Sequence, residues 1–597
     1  MSVVSDGSTD FNPLRIRYLL LLAAVVVFVY AVGSSNPFHY DDLHSIRDNP
    51  HIRSLDNIPA FFTRPDYFTA DPRSAMYRPL VLVSYALNYA LDKSEVRSYH
   101  WVNIGIHAIN SGLVLLLAHM LLKRFTVAFM AACIFALHPV NSEVVNYISS
   151  RSESLCALFF LSSLIAYIKA RSATKYRATK YGTALAAFAC ALLCKSIAVT
   201  LLPLLLAFEL CFPARMRPTR TVLIWIGPFF APVMLYGLII QNMLKTALVD
   251  APVRSMGVQL ATQLKALVYY ATLLCYPWEL NVEHQFALGG NELAVWLSAG
   301  CIFSLFVWVW FSGALARFLS MWSLVILTPT LIVPLNVLVN EHRLYLVSIA
   351  FSIGLACAFA NVLRQATVSK IGAMCCISLV LIFCSLDVQR TLTWSSSEKV
   401  WAASLEHSPY MPRPHLYMGN VHREASRNQR ALDSYAKALV VHPEVLSGGD
   451  LVSIYNNMGA TYLAMERFDE AVAAYEKTLA IDPEYEQARV SLEGARALKA
   501  QRGQEGAAEL QRRGLIALIQ GDLPQAVRLL NESLAIRPLA KTYLALAQVH
   551  ERLEDTEAAL AVYRTLLETG IEGPSARQAR LRIEEISQRA NREEGKP

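Results

Sequence analysis

Only 17% of the 597 residues carry a charge, and the eleven cysteines include no CxxC pair and no Cys/His spacing of the kind that binds zinc. Charge this sparse, with 54% hydrophobic residues and a mean hydropathy of +0.35, excludes an ordinary soluble protein of this length and points to a multi-pass membrane chain. Every cysteine lies at or before Cys384, mostly inside apolar runs, where it acts as a small buried hydrophobe. The polar C-terminal part therefore needs no disulfides, and the redox compartment stays open. The formal net charge of +7 is small for the length, and Lys and Arg are scattered without an aromatic-interleaved basic stripe, which argues against a nucleic-acid partner. The apolar part also lacks an internal two-fold repeat, as a transporter built from inverted halves would show.

What is present divides in two. Residues 1–394 hold nearly every long apolar run, whereas 395–585 are rich in Ala, Glu, Arg and Tyr, and 586–597 read as a disordered tail. The run "RIRYLLLLAAVVVFVYAVG" follows two arginines, as a signal peptide would, but has the length of a full span and is taken as a retained first helix. Ten further spans fit at roughly 101–122, 125–140, 153–170, 181–194, 196–212, 221–242, 293–312, 317–335, 343–363 and 370–387, about eleven in all. The segment 263–286 is ambiguous and could span or lie at the interface. If it does not span, the connections at Lys123–Arg124, Lys169 to Lys180, Arg215 to Arg220, Arg317 and Arg364 to Lys370 share the side of the N-terminus. The positive-inside bias makes that side cytoplasmic and puts the C-terminal domain outside.

That topology gathers the polar loops of the apolar part on the non-cytoplasmic face. Asp41 and Asp42 follow the first span, within an expected active-site loop over 35–100; alone, such a pair is a solvated loop or a cap. Glu143, with His138, lies in "HPVNSE", which by itself could be a simple helix-to-helix turn. Lys195 interrupts an apolar stretch, where a charge is costly unless paired or solvated, although it could also mark a turn between short spans. Glu341, His342 and Arg343 stand at the mouth of another run, and arginine there is not what a helix N-terminus favours. Arg78 precedes an amphipathic stretch that suits the membrane surface. With Arg151, these residues supply carboxylates for general-base work and cations for a phosphate.

From Pro412 the chain repeats: Gly419, Ala431, Tyr435 and Pro443 answer Gly459, Ala471, Tyr475 and Pro483. The period is that of the tetratricopeptide repeat, with units at 412–445, 452–485, 507–540 and 540–573. Four such units stack into a solenoid whose groove suits an extended peptide or a partner protein, unless they form only a spacer or a dimerisation arm.

The ordered set "YDDLHSIRDNPHI", "YRPLVLVSYALNYAL", "NIGIHAINSGLVLLL", "HPVNSEVVNYISSRSESLCALFFL", "ALLCKSIAVTLLPLLLAFEL" and "PLNVLVNEHRLYL", followed by the repeats, resembles the C-fold (GT-C) integral-membrane glycosyltransferases. Within them it resembles the transmembrane and tetratricopeptide-repeat protein O-mannosyltransferases. The resemblance implies an all-α fold, a multi-pass membrane transferase domain ahead of an α-solenoid. It further implies transfer of a sugar, typically mannose, from a polyprenyl phosphate to Ser or Thr hydroxyls. By that match Asp41 would be the base, supported by Asp42 and Glu143. Lys195, Arg343, Arg151 and Arg78 would hold the donor phosphate, with His138 and His342 behind them. No metal or other cofactor is assigned, although a divalent ion is not excluded. The expected partners are the lipid-linked sugar, a protein or peptide acceptor in the repeat groove, and membrane lipids. Four repeats and the single C-terminal sequon Asn531-Glu-Ser fit a bacterial inner membrane with periplasmic repeats; a eukaryotic chain would place them in the endoplasmic-reticulum lumen. The alternatives are the same donor chemistry on a lipid or cell-wall glycan, or a membrane scaffold without catalysis.

Overall fold

The computed structural model describes residues 13–70, 75–213, 218–245, 254–289, 292–362 and 369–594. The expected basic connections at Arg215 and Arg364 and the end of the expected tail at 595–597 lie outside the described residues. Among the described residues the chain is helical, with no β-strand. It forms a multi-pass membrane protein followed by tetratricopeptide repeats. Two compact units result: Met1–Ala425 with Asp433–Ser447, and Ser426–Leu432 with Gly448–Pro597. The boundary expected at 394/395 falls inside the first unit, which takes in most of the first repeat.

Among the described residues, seven helices are long and apolar enough to cross a bilayer, or up to nine if each of two bent pairs is one span. The difference from eleven has local causes. The spans expected at 125–140 and 370–387 fall on bent pairs, Phe125–Leu137 with Pro139–Asn146 (51°) and Ile377–Thr393 with Ser397–His407 (117°). The one expected at 196–212 falls on the shorter apolar stretch Ser196–Cys211, and the one at 181–194 on the end of the helix Arg177–Leu192. The ambiguous segment is the helix Met256–Cys275 followed by an irregular loop, and that helix is not among the seven.

Helices are joined through small and polar residues, as expected where lipid offers no hydrophobic drive between them. The first helix, Pro13–Tyr30, buries Leu22, Val26, Val29 and Tyr30 and leaves Leu20, Leu21 and Phe28 on its outer face. At its end Gly33 permits a close crossing: a Cβ there would stand 2.5 Å from Thr391 Cγ2 and 2.7 Å from Asn146 Oδ1. On Val96–Leu122, His107 bonds Tyr345 (2.7 Å) and the Ala136 carbonyl (3.0 Å), while Asn110 donates to the Ser154 carbonyl (2.8 Å). These contacts tie four helices together and support the ends that carry the polar loops.

In the second unit the helix pairs Gly448–Ala464 with Phe468–Ile481 and Ala540–Arg552 with Thr556–Glu568 follow the repeat period. Gly459 faces the Tyr475 ring so closely that a Cβ would meet Cε1 at 2.7 Å, which explains the paired Gly and Tyr positions. The third repeat departs from the expected start at 507. Its first helix is continuous with the connecting segment as Glu486–Gln520, since Ala, Arg, Gln and Glu there are all good helix formers. The final helix, Pro574–Glu594, continues through the part of the tail expected to be disordered.

Candidate active site

The loop after the first span is built from short helical turns. One of them, Leu43–Arg47, is a single π-turn, a form that recurs at functional sites. The two adjacent aspartates at its start have opposite environments. Asp42 is fully buried; its carboxylate accepts from the Ser149 amide (2.7 Å), the Ser149 hydroxyl (2.6 Å) and the His39 amide (3.1 Å). Burial pushes its pKa up to about 7 in spite of these bonds. Asp42 thus locks the loop to the 147–151 turn. The Asp41 side chain is 42% exposed and faces His44 at 3.3 Å, while its backbone amide donates to the Tyr147 hydroxyl at 3.2 Å. His44 in turn bonds Thr69 at 2.7 Å. Asp41 is the carboxylate of the pair that faces water.

His39, unassigned in the sequence, anchors the same loop through the Trp394 carbonyl (2.6 Å) and the Ser397 hydroxyl (3.0 Å), and burial lowers its pKa. It is held as a strut.

A second group lies around the start of the helix Arg151–Ser172. Lys195, whose side chain is 17% exposed, pairs with Glu153, and Glu153 also lies 3.8 Å from His342 Nε2. His342 Nδ1 meets Glu143 at 2.9 Å. Arg78 donates to Ser152 at 3.2 Å and lies over the Phe68 ring at 5.5 Å. Glu143, Glu153, His342, Lys195 and Arg78 are therefore one cluster. Contacts through Ser149 and Ser152 on one side, and through Phe68 and Thr69 on the other, connect it to the aspartate loop.

Behind it, buried Glu341 lies 3.2 Å from His284 and 3.5 Å from Arg390, and His284 bonds the Tyr269 hydroxyl at 3.0 Å. Among the described residues Glu341 is held by these ion-pair contacts alone, since neither of its carboxylate oxygens has a hydrogen-bond partner.

Three expected residues stand apart. Arg151 is fully buried; its guanidinium donates to Asn103 (2.7 Å), Asn88 (2.6 Å) and the Tyr99 carbonyl (2.9 Å) and lies 4.9 Å from the centre of the Tyr85 ring. It clamps Pro79–Asp92 and Val96–Leu122 to its own helix. His138 uses both ring nitrogens on the backbone, at Leu274 (2.9 Å) and Val140 (3.2 Å), and so secures the bend after Leu137. Arg343 donates to the Val337 and Leu338 carbonyls (2.7 and 2.9 Å) and to Tyr270 (3.2 Å), gathering its own preceding loop.

Sequence reasoning passed over Glu153, the partner of Lys195. The available signal was charge balance: a lysine inside an apolar stretch needs a carboxylate, and "RSES" offers one at the head of the neighbouring span. Among the described residues no three His, Cys, Asp or Glu side chains are disposed to hold a metal ion.

The tetratricopeptide repeat family matches residues 410–484 and again 540–569. Over 77% of its length the chain is 23% identical to the protein O-mannosyl-transferase TMTC3 of Mus musculus, covering 54% of that protein. Over 72% it is 24% identical to a protein O-mannosyl-transferase of Caenorhabditis elegans, covering 63% of it. A shorter match, 29% of the chain and 21% of the relative, reaches 34% identity with the protein O-mannosyl-transferase TMTC2 of Homo sapiens. The chain thus spans little more than half the length of the relatives it matches most fully.

Proposed function

We propose that this chain, a member of the family of transmembrane and tetratricopeptide-repeat protein O-mannosyltransferases, moves a mannosyl residue from a polyprenyl phosphate to Ser or Thr hydroxyls of proteins. The transfer takes place at the non-cytoplasmic membrane face, where the repeats bind the protein acceptor. The observation that supports this reading is a half-exposed carboxylate, Asp41, on a loop joined through Thr69, Phe68, Ser149 and Ser152 to the cluster that holds Lys195 and Arg78.

Asp41 takes the proton of the acceptor hydroxyl as its oxygen attacks the anomeric carbon. The bond from that carbon to the phosphate oxygen breaks, and the phosphate leaves with the electron pair. Charge grows on the phosphate in that step, so a cation held beside it favours the transition state over the bound donor. Lys195 and Arg78 fill this role; His342, between Glu143 and Glu153, keeps their carboxylate neighbours in place. Asp42 supports Asp41 through the backbone rather than by proton transfer.

Asp41→Asn should abolish mannosyl transfer to a Ser/Thr peptide while the purified protein keeps its wild-type elution and melting behaviour. Transfer at the wild-type rate would remove Asp41 as the base. Glycoproteomics of a strain lacking the chain tests the acceptor class, since unchanged O-mannosyl glycopeptides would count against a protein acceptor.

A further inference from the structure

The residue that leads into Asp41 is held in an unfavourable backbone state. Tyr40 has φ +51°, in the left-handed region that a bulky side chain rarely adopts and that persists only where the surroundings impose it. Three rings surround Tyr40: Tyr417 edge-on at 4.5 Å, Trp401 at 5.8 Å and Tyr147 at 6.1 Å. Trp401 and Tyr417 stack on each other at 4.4 Å and 16°. Tyr147 also accepts the Asp41 amide, so the cage grips both residues.

Tyr417 lies on Pro412–Glu424, the leading helix of the first repeat. That helix is bound into the membrane unit elsewhere too. Arg413 forms a buried ion pair with Glu283 at 2.9 Å, next to the His284 that meets Glu341. Just ahead of it, Met411 packs with Leu338, and the Tyr410 amide donates to Gln285 at 3.0 Å. A helix tied at both the aspartate loop and the buried charge set is not a free docking module.

We infer that this leading helix is a working part of the transferase site, with Tyr417 a positioning residue that acts through Tyr40 to hold Asp41 at the acceptor hydroxyl. The inference rests on Asp41 as the base. It assigns the first repeat a role different from recruitment, which falls to the later ones.

The test uses the full chain in detergent, a synthetic polyprenyl-phosphate mannose and a short Ser/Thr peptide. Tyr417→Ala should lower kcat by about 10- to 100-fold, as expected for a base displaced by a fraction of an ångström to an ångström. Both KM values should stay within about two-fold, and Tyr417→Phe, which keeps the ring and loses only the hydroxyl's bond to Tyr40, should recover most of kcat. A Tyr417→Ala variant with wild-type kcat on the short peptide overturns the inference, including the case in which only the KM for a long protein acceptor rises. Should that variant not fold, Trp401→Leu removes the same stack: slow turnover at unchanged KM supports the inference and wild-type kcat overturns it. Asp41→Asn, measured in parallel, separates the two levels. If it is inactive while Tyr417→Ala runs at full speed, this inference alone falls. If Asp41→Asn is active, the base assignment falls and this inference falls with it, whatever the rate of Tyr417→Ala.

Discussion

Replacing Asp42 by Asn should remove a pH dependence of stability whose sign and size follow from the burial of one carboxyl. An exposed aspartate titrates near pH 3.8, whereas burial raises Asp42 to about 7. Between those values the folded chain holds a proton that the unfolded chain has released, so stability falls as pH rises through this window. The slope is about 1.4 kcal/mol per pH unit and the full span about 4 kcal/mol. Raising the pH from 5 to 7 should therefore cost the wild type about 3 kcal/mol more than a variant that cannot ionise there.

The Asn side chain can still accept from Ser149 through its carbonyl. Its amide group, however, turns a donor toward the His39 amide, and one unmet donor costs about 1–3 kcal/mol at every pH. The assay is thermal unfolding in detergent, followed by tryptophan fluorescence from pH 5 to 8 at constant ionic strength. A multi-span chain does not unfold as a two-state equilibrium, so the quantity compared is the difference between the two proteins at each pH. The wild-type midpoint should climb on acidification from pH 7 to 5 more steeply than that of Asp42→Asn. Parallel curves would refute the assignment of Asp42 as a buried, proton-holding strut.

Two further outcomes complete those already given for Asp41 and Tyr417. Lys195→Gln should lower kcat/KM for the lipid-linked donor by about 10- to 100-fold, the worth of one charge-assisted bond to a phosphate; an unchanged value would take Lys195 out of the phosphate site. Gly459→Ala forces a methyl to within 2.7 Å of Tyr475 and should destabilise that repeat by about 1–3 kcal/mol, seen as faster proteolysis between 448 and 485 with transfer to a short peptide unchanged.

The repeats were legible in the sequence because their spacing is a local property. Gly419 and Tyr435, like Gly459 and Tyr475, are separated by one helical hairpin, and the contact that pairs them is repeated with the motif. Membrane spans were legible where a run was both long and straight, and less so where a bend broke it, as between Leu137 and Pro139. The site was legible as a set of costly charges, but the pairing of those charges was not. Glu143 and His342 are far apart in sequence and 2.9 Å apart in space, and nothing local to "RSES" says that Glu153 is the partner of Lys195.

Composition and periodicity by themselves determined that this chain is helical, that one part of it lies in lipid and that the other stacks as repeats. Hydropathy and repeat spacing are summed along the chain, so no fold is needed to read them. Only the tertiary structure decided which polar groups can act. Asp41 and Asp42 are the same residue type one position apart, yet the Ser149 turn buries one and leaves the other facing water. Arg151 and Lys195 carry the same charge, yet one is enclosed by Asn88, Asn103 and Tyr99 while the other is paired with Glu153 on a side chain that remains 17% exposed. The same holds for the boundary between the membrane part and the repeats. Tyr417 lies within a repeat by its motif, and only its packing on Tyr40 brings it to the site, because contacts between distant segments leave no periodic trace in the sequence.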